Sequence, residues 1–459
     1  MIYSKEIDIK ESYDTVVLGG GMTGFAAAYS AAREGAKVII IERGFSLGGV
    51  ATQALVNHIL GVRALEGDVL YTCVGDIFDI IEKRLLAENS AVDVRPLDLT
   101  LHPHGWYTSL GTGLIFDCER MKLLLEKMLE EVGVKILYGT DLVDVIKEDG
   151  KIKCALVHNK SGLYAIEGKY FVDATGDADA SRLAGCPAEK GDEEGGMSAA
   201  SLEMHVEGVD DEELFSYMKE TGDVRFKSII KTLCETGEWK FPYFIFISVK
   251  MVQNGVYMIN TIRQVGVDGA DADSLTKGVI DGRKENYELL RIMRTYFPGF
   301  KNAKVRRIAP MIGIRETYRI IGEGILKVDD LIEAEHREDS VALSSYGWDL
   351  PDPKRPTYSP MDTTERSSRY AEIPYGALLP RGVDNLIVAG RCISTERQAL
   401  GPVRVMGPCI AMGTAAGIAT ALAQKDDLNM RDVNVKKLRD VIKSYGGIVN
   451  RTDVRIVER

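Results

Sequence analysis

The chain has 459 residues and a formal net charge of −11, with 45% hydrophobic and 27% charged residues; these values leave ample apolar side chain for a large core and exclude a disordered chain. The acidic balance, without any dense Lys/Arg cluster, excludes a surface built to track a phosphate backbone, so no nucleic-acid partner is expected. The length allows two or three average domains, or one nucleotide-binding unit split around an insertion.

Residues 1–12 are polar and acidic, the pattern of a short arm and not of a secretion signal. Apolar runs such as 38–41 and 244–249 are far short of the roughly 20 residues that cross a bilayer, so a soluble protein without membrane insertion is expected. The seven cysteines, at 73, 118, 154, 186, 234, 392 and 409, include no CxxC pair. That fits neither a zinc site nor a dithiol redox centre, and a reducing cytoplasm is the simplest location.

Residues 13–43 read as strand, glycine turn, helix and strand: 15–18 is apolar, 25–34 alanine-rich and 37–41 β-branched. A helix is predicted over 118–132, from Met121, Leu124, Leu125, Met128 and Leu129 at helical spacing, and a strand over 134–138. Strands at 142–148, 153–158, 164–169 and 170–173 suggest a meander returning to the main sheet. From 197 to 373 the character changes, with short strands at 201–207, 244–249 and 255–260 and a polar helix over 276–296. The loop 346–368, rich in Pro, Asp, Ser and Thr, is long enough to cover a site or mediate contacts. An apolar strand follows at 385–389 and an Ala/Gly-rich helix at 407–424.

Gly19, Gly21 and Gly24 form GxGxxG between the first strand and helix, with Met22 and Thr23 inside it. Glycines there permit a tight turn, close approach of a pyrophosphate and close packing of helix on strand, while the helix start offers N–H groups to phosphate. Glu42 ends the second strand, close to the ~20-residue distance expected of an acid that bonds a ribose hydroxyl. A dinucleotide site is therefore expected.

Four further segments resemble the superfamily that includes the fumarate reductase and succinate dehydrogenase flavoproteins. Glu42-Arg43 followed by Gly48-Gly49-Val50-Ala51-Thr52 resembles its ribose and pyrophosphate loop. The run 172–177, containing Ala174-Thr175-Gly176, is similar to its ATG strand end. NLIVAGR at 385–391 resembles the late strand that passes the ribityl chain, and 407–423 resembles the helix aimed at the flavin pyrimidine ring. GIRETYRIIGE at 313–323 and IPYGALLP at 373–380 are similar to a bacterial family known as FAD-dependent oxidoreductases. The resemblance implies bound FAD held by these loops, with Val143, Gly390, Arg391, Met406 and Gly407 joining the set. Arg391 departs from the acid that many flavoproteins carry there, which puts that contact in doubt and leaves phosphate as an alternative partner. Independently, the start of a helix at Met406, Gly407 and Pro408 suits the negative charge a reduced flavin carries near N1 and O2, with a plain buried helix, packed closely through its Ala and Gly, as the alternative.

For the substrate side, Arg404 precedes the late helix and Arg315 lies in the GIRE segment; planar guanidinium suits a carboxylate or the flavin itself, and for Arg404 the alternative is a pairing with a structural acid or an exposed position. For Arg315-Glu316 the alternative is a buried ion pair or a domain contact. His58, His102 and His104 are candidates for moving a proton, each with the alternative of a surface or hydrogen-bonded core role. Tyr107 and Tyr375 are candidate acids or ring contacts, and Cys392 reads as a small buried residue. No metal motif is present, and no second GxGxxG marks a bound NAD(P).

The expected architecture is α/β: a discontinuous Rossmann-type FAD-binding domain (1–196 and 374–430), an inserted mixed α+β substrate domain (197–373) and a C-terminal helical tail (431–459). The expected activity is an FAD-dependent oxidoreductase, a dehydrogenase or reductase exchanging hydride between flavin N5 and a small organic substrate that carries a carboxylate or hydroxyl. A flavoprotein with structural FAD or a non-redox role is the alternative. An electron donor or acceptor of unidentified kind and a homo-oligomeric state complete the expectation.

Overall fold

The computed structural model describes residues 6–93, 95 and 112–458; the candidates His102, His104 and Tyr107 lie outside the described residues. The strand Ile9–Leu18, the helix Met22–Arg33 and the strand Val38–Ile41 form the opening βαβ unit. The two strands pair in parallel, Val17 opposite Ile40. Helix Met22–Arg33 begins at Gly21 with no side-chain cap, so its first N–H groups are left to other acceptors.

Among the described residues the main sheet has seven strands. Lys135–Leu137, Val38–Ile41, Ile9–Leu18 and Gly162–Asp173 run side by side in parallel. Gly162–Asp173 is one strand where the sequence suggested two. Its first half pairs antiparallel with Lys151–Asn159 and its last three residues pair in parallel with Leu386–Val388. The change of partner, without a change of direction, makes one strand look like two. The helix Cys118–Glu131 buries Met121, Leu124, Leu125, Met128 and Leu129, as its periodicity predicts. Asp117 caps it by accepting the N–H groups of Glu119 at 2.9 Å and Arg120 at 3.0 Å.

The helix Met406–Asp426 is, among the described residues, long and apolar enough to cross a membrane, yet its apolar stretch is 89% buried in the molecule. It lies on Met22–Arg33 at a separation that only small residues permit: a Cβ on Gly413 would sit 2.2 Å from the Thr23 carbonyl oxygen, and one on Gly417 2.2 Å from that of Ala27.

A second sheet, antiparallel throughout, orders Ser248–Lys250, Tyr257–Ile259, Met204–Glu207 and Lys304–Ile308. With the helices Asp211–Thr221, Lys227–Glu235 and Ala272–Tyr296 it encloses its own core, centred on Phe226, Phe246, Phe297 and Phe300. Phe226 stacks on Phe297 at 4.6 Å between ring centroids and Phe246 meets Phe297 edge-on at 4.8 Å. The long helix starts four residues before the predicted position because Asp271 caps it, accepting the Ser274 N–H at 2.8 Å. The regular strands are shorter than the predicted 201–207 and 244–249, at Met204–Glu207 and Ser248–Lys250, with Ser201 in an isolated bridge to Gly313. The leading residues of the two predicted runs, Ser201, Glu203, Ile245 and Ile247, line a cavity. Further along, Ile320, Leu326, Leu331, Val341, Ala342, Leu350 and Ile373 pack into the core of the large sheet. After residue 431 the chain forms the helix Val435–Ser444 and then, in place of a wholly helical tail, a strand Arg455–Ile456 against Val69–Thr72.

Candidate active site

A cavity of about 930 Å³ opens at the C-terminal ends of the parallel strands, where Leu18, Ile41, Ala174 and Ala389 reach it, and extends to the antiparallel insert. In such sheets that edge is where ligands bind.

One half of the cavity is made of glycine turns. Gly19 has φ +101°, and a Cβ on it would lie 2.5 Å from the Ala174 carbonyl oxygen; a Cβ on Gly24 would lie 1.8 Å from that of Gly19. These two glycines serve packing of strand and helix. A Cβ on Gly21 would meet nothing within 4 Å, so its side is open to a ligand. Gly48 and Gly49 both have positive φ, and the Gly48 N–H donates to Gly20 O at 2.8 Å, which joins the two glycine loops. Glu42 holds the same pair together: one carboxylate oxygen accepts the Gly20 N–H at 2.7 Å, the other the Gly44 N–H at 2.6 Å and Gln53 Nε2 at 3.2 Å.

The structure brings to this wall Gly19, Gly21, Met22, Thr23, Glu42, Arg43, Gly48, Gly49, Val50, Ala174, Thr175, Gly176, Arg391 and Met406. Six other candidates stay off it. Gly24 packs as described. Ala51 and Thr52 turn inward and are buried, with the Thr52 hydroxyl donating at 2.5 Å to Leu47 O. Val143 is 46% exposed on the outer face; strand alternation puts its neighbour Leu142 on the cavity instead. Gly390, φ +93°, leaves room for Thr23, whose Oγ1 would be 2.8 Å from a Cβ there. The Gly407 N–H is taken by Leu60 O at 2.9 Å and Pro408 has no N–H; of the first turn of that helix, Met406 and Cys409 line the cavity.

Arg391 is engaged by protein. It donates to Asp177 at 2.6 Å and to Ile314 O at 3.1 Å, and Asp177 also accepts the Thr317 hydroxyl at 2.6 Å. An acid is thus present beside the late strand after all, contributed by the ATG segment. Next to it Asp179 is pushed up to about 6 by burial and by the charges of Asp177 and Asp173.

The other half is polar and charged, with Ser201, Glu203, Arg225, Asn260, Arg263, Arg315, Tyr346, Asp349 and Arg404 on its walls. Arg404 donates Nε to Asp349 O at 3.2 Å and Nη2 to Asp349 Oδ2 at 3.0 Å. Burial raises the Asp349 carboxyl, but Arg404, Arg315 and Arg263 outweigh it and hold the group below the usual carboxylate range. The Tyr346 hydroxyl donates to Asp349 at 3.3 Å. Arg263 is fixed by Ser201 Oγ at 2.9 Å and Asn260 Oδ1 at 2.7 Å, and Arg315 donates to Ala199 O. Glu316, by contrast, is fully buried and forms an ion pair with the partly buried Arg397, so of the GIRE pair Arg315 lines the cavity and Glu316 does not. His58 lines the cavity, its ring against Gly113. Tyr375 is core, donating to Met430 O at 2.7 Å, and Cys392 is fully buried.

Glu203, Arg263, Tyr346 and Asp349 were missed by sequence reasoning. A signal existed for the first two: a lone acid inside the alternating run 202–206 and a lone Arg just past a short apolar strand. The loop 346–368 supplies Tyr346, Asp349, Pro351, Pro356, Thr357, Ser359 and Asp362 to the wall. Among the described residues no cluster suits a metal ion.

Residues 14–442 match the family described as FAD dependent oxidoreductase. Curated relatives include the thiamine thiazole synthase of Methanococcus aeolicus, 27% identical over 36% of this chain and 54% of that protein. Another is the thioredoxin reductase of Ureaplasma parvum, 41% identical over 13% of this chain and 20% of that protein. The alignments thus span about half of the first relative and a fifth of the second. The p-nitrophenol 4-monooxygenase PnpA of Pseudomonas putida, a solved structure, is 11% identical and matches with a TM-score of 0.48 over 97% of this chain and 88% of that one. The open side of Gly21, the two joined glycine loops and the uncapped helix start fit a dinucleotide pyrophosphate, and the elongated cavity continues past them toward the late helix. The chain belongs to the FAD dependent oxidoreductase family, and its cofactor is FAD.

Proposed function

We propose that the protein oxidises or reduces a small carboxylate-bearing organic molecule, seated between the flavin and the charged half of the cavity. The observation that carries this reading is the convergence of Arg263, Arg315 and Arg404 on the cavity that also contains the glycine cradle. Bound FAD supplies hydride exchange at its N5.

The residues' own parts follow from their partners. Gly21, Met22 and Thr23 present the helix start to the pyrophosphate, and Glu42 keeps the two glycine loops in register while facing the adenosine ribose. Asp349 holds Arg404 by Nε and Nη2, which leaves Nη1 of a pre-oriented guanidinium for a substrate carboxylate. Arg315 faces the same space, and its burial beside Arg263 and Arg404 sharpens its preference for an anion. His58 stands ready on the same cavity to hold or pass a proton.

The test is a visible spectrum of the purified holoenzyme before and after anaerobic incubation with small hydroxy acids, amino acids, other carboxylic acids, sugars and NAD(P)H. Flavin bleaching by a carboxylate-bearing member supports the proposal, and bands unchanged by every member favour a structural or non-redox flavin. Arg404→Ala is expected to lower kcat/KM for that substrate by about 10–100-fold, the worth of a charged hydrogen bond. Unchanged kinetics in that variant would remove Arg404 from substrate binding.

A further inference from the structure

Glu203 ends the extended segment that leads into the strand Met204–Glu207. It is 1% exposed and lines the charged half of the cavity. Its Oε2 is buried with no hydrogen-bond partner among the described residues. The charged groups facing it are Arg263 and Arg315, with Arg404, Asp349 and Arg225 beyond them. Arg404 pairs with Asp349, Arg263 bonds Ser201 and Asn260, and Arg315 bonds a carbonyl. Glu203 forms an ion pair with none of them. A buried carboxylate without hydrogen bonds is strongly disfavoured, whereas the neutral acid loses only one bond.

We propose that Glu203 is the acid that gives a proton to the substrate, held as a neutral carboxyl in the resting protein and aimed at a molecule anchored on Arg315 and Arg404. The assignment rests on the carboxylate-substrate reading above. Binding an anion adds negative charge near Glu203 and favours its protonated form further. In the transfer the carboxyl O–H bond breaks, its electron pair stays on the carboxylate, and the proton forms a new bond to substrate oxygen or carbon. The charge left on Glu203 is then faced by Arg263 and Arg315, so the product state of the transfer is stabilised where the resting state leaves those cations unpaired with it. In the opposite direction of reaction the same carboxylate takes the proton back. The electrons exchanged in the same turnover are those of the family's flavin chemistry.

Infrared difference spectra of the holoenzyme in H2O and D2O test the protonation directly. A carboxylic-acid C=O stretch at pH 6.5 that shifts in D2O, and is absent in both Glu203→Gln and Glu203→Leu, is expected; the same band in the variants overturns the assignment. Succinate serves as the carboxylate probe, its affinity measured by calorimetry. With the carboxyl pushed up to about 8 by burial, wild-type affinity is expected to fall about fourfold between pH 6.5 and 8.5, with Glu203→Gln nearly flat. Parallel losses in both proteins would overturn the role of Glu203. Failure of succinate to bind either protein would count against the carboxylate reading itself, and the infrared band would then decide Glu203 alone. With a substrate from the panel in hand, Glu203→Gln is expected to lose about 10²–10⁴-fold in kcat at nearly unchanged KM; full retention of kcat would overturn the proposal.

Discussion

Glu42 spends both carboxylate oxygens on backbone N–H groups, one from each glycine loop. Its removal therefore loosens the shape of the nucleotide site as well as one ligand contact. Glu42→Ala is expected to weaken FAD binding by about 10–100-fold, measured by fluorescence quenching of FAD titrated with apoprotein, because charge-assisted bonds of this kind contribute about 1.5–3 kcal/mol each. An affinity equal to wild type would show that the loops hold their form without it. Glu203 makes a separate prediction about stability. Its carboxyl lies at about 8 in the folded chain, above the ordinary value near 4.3 of an unfolded one. The folded state therefore binds the extra proton between those limits, so Glu203 favours the fold most at low pH and that contribution is lost as pH rises toward 8. Relative to Glu203→Gln, the wild type is expected to lose stability with a slope of up to about 1.4 kcal/mol per pH unit across this window, read from urea unfolding at several pH values. A constant difference would mean that the group titrates normally. At this scale the sequence was legible where backbone geometry dictates the residue, as at Gly19, Gly21 and Gly48. It was opaque where the meaning of a side chain depends on what folds against it: nothing in the GIRE motif distinguishes Arg315, which faces the cavity, from Glu316, which is locked to Arg397.

The strand Met204–Glu207 shows how an element ties the insert to the nucleotide half. Just before it Glu203 reaches the cavity; His205, two residues on, has partners of its own: its Nε2–H donates to Leu55 O at 3.2 Å and its Nδ1 accepts from Arg307 Nε at 3.4 Å. Burial, with the Arg307 charge beside it, pushes His205 down to about 4. A folded value below the unfolded one near 6.5 means the contribution is full above pH 6.5 and lost as pH falls toward 4. Acidification from pH 6.5 to 4.5 is accordingly expected to lower the hydrogen-exchange protection factors of residues 204–207, after correction for the pH dependence of intrinsic exchange, in the wild type and much less in His205→Asn; equal responses would show that another group governs the acid side. The helix pair is the other telling element. Met22–Arg33 and Met406–Asp426 meet where Gly413 and Gly417 abut backbone oxygens. Gly417→Ala, forcing a methyl against the Ala27 carbonyl, is expected to cost about 1–3 kcal/mol, visible as a lowered thermal midpoint. The Ala/Gly run at 407–424 announced a closely packed helix. Its partner could be named only from the folded chain, since small residues allow close approach without saying to what. The short strands of the insert were harder still, because residues such as Glu203 and Ile245 lie outside the regular ladder and line the cavity.

For the molecule as a whole, the cavity is a product of segments far apart in sequence: the loops after the first parallel strands, the leading edge of the insert, the loop 346–368 and the start of the late helix. That explains which part of the reading was accessible beforehand. A contiguous motif such as GxGxxG can be recognised from spacing alone, and the nucleotide half was mostly legible for that reason. The charged half has no contiguous signature, since Glu203, Arg263, Arg315, Asp349 and Arg404 come together only through the fold.

The packing of the first helix on the late one also dictates an order of events during synthesis. The opening βαβ unit leaves the ribosome well before the helix that covers Met22–Arg33, and the strand Leu386–Val388 is made shortly before that helix. Translation proceeds at about 5–20 residues per second, so the nascent glycine cradle waits with its helix uncovered while the aromatic core of the insert, drawn from residues 204–303, is already complete. The nucleotide pocket consequently closes after the aromatic core of the insert has been made, and a nascent chain halted before residue 406 would carry every glycine of the cradle and still lack the surface against which its first helix must rest.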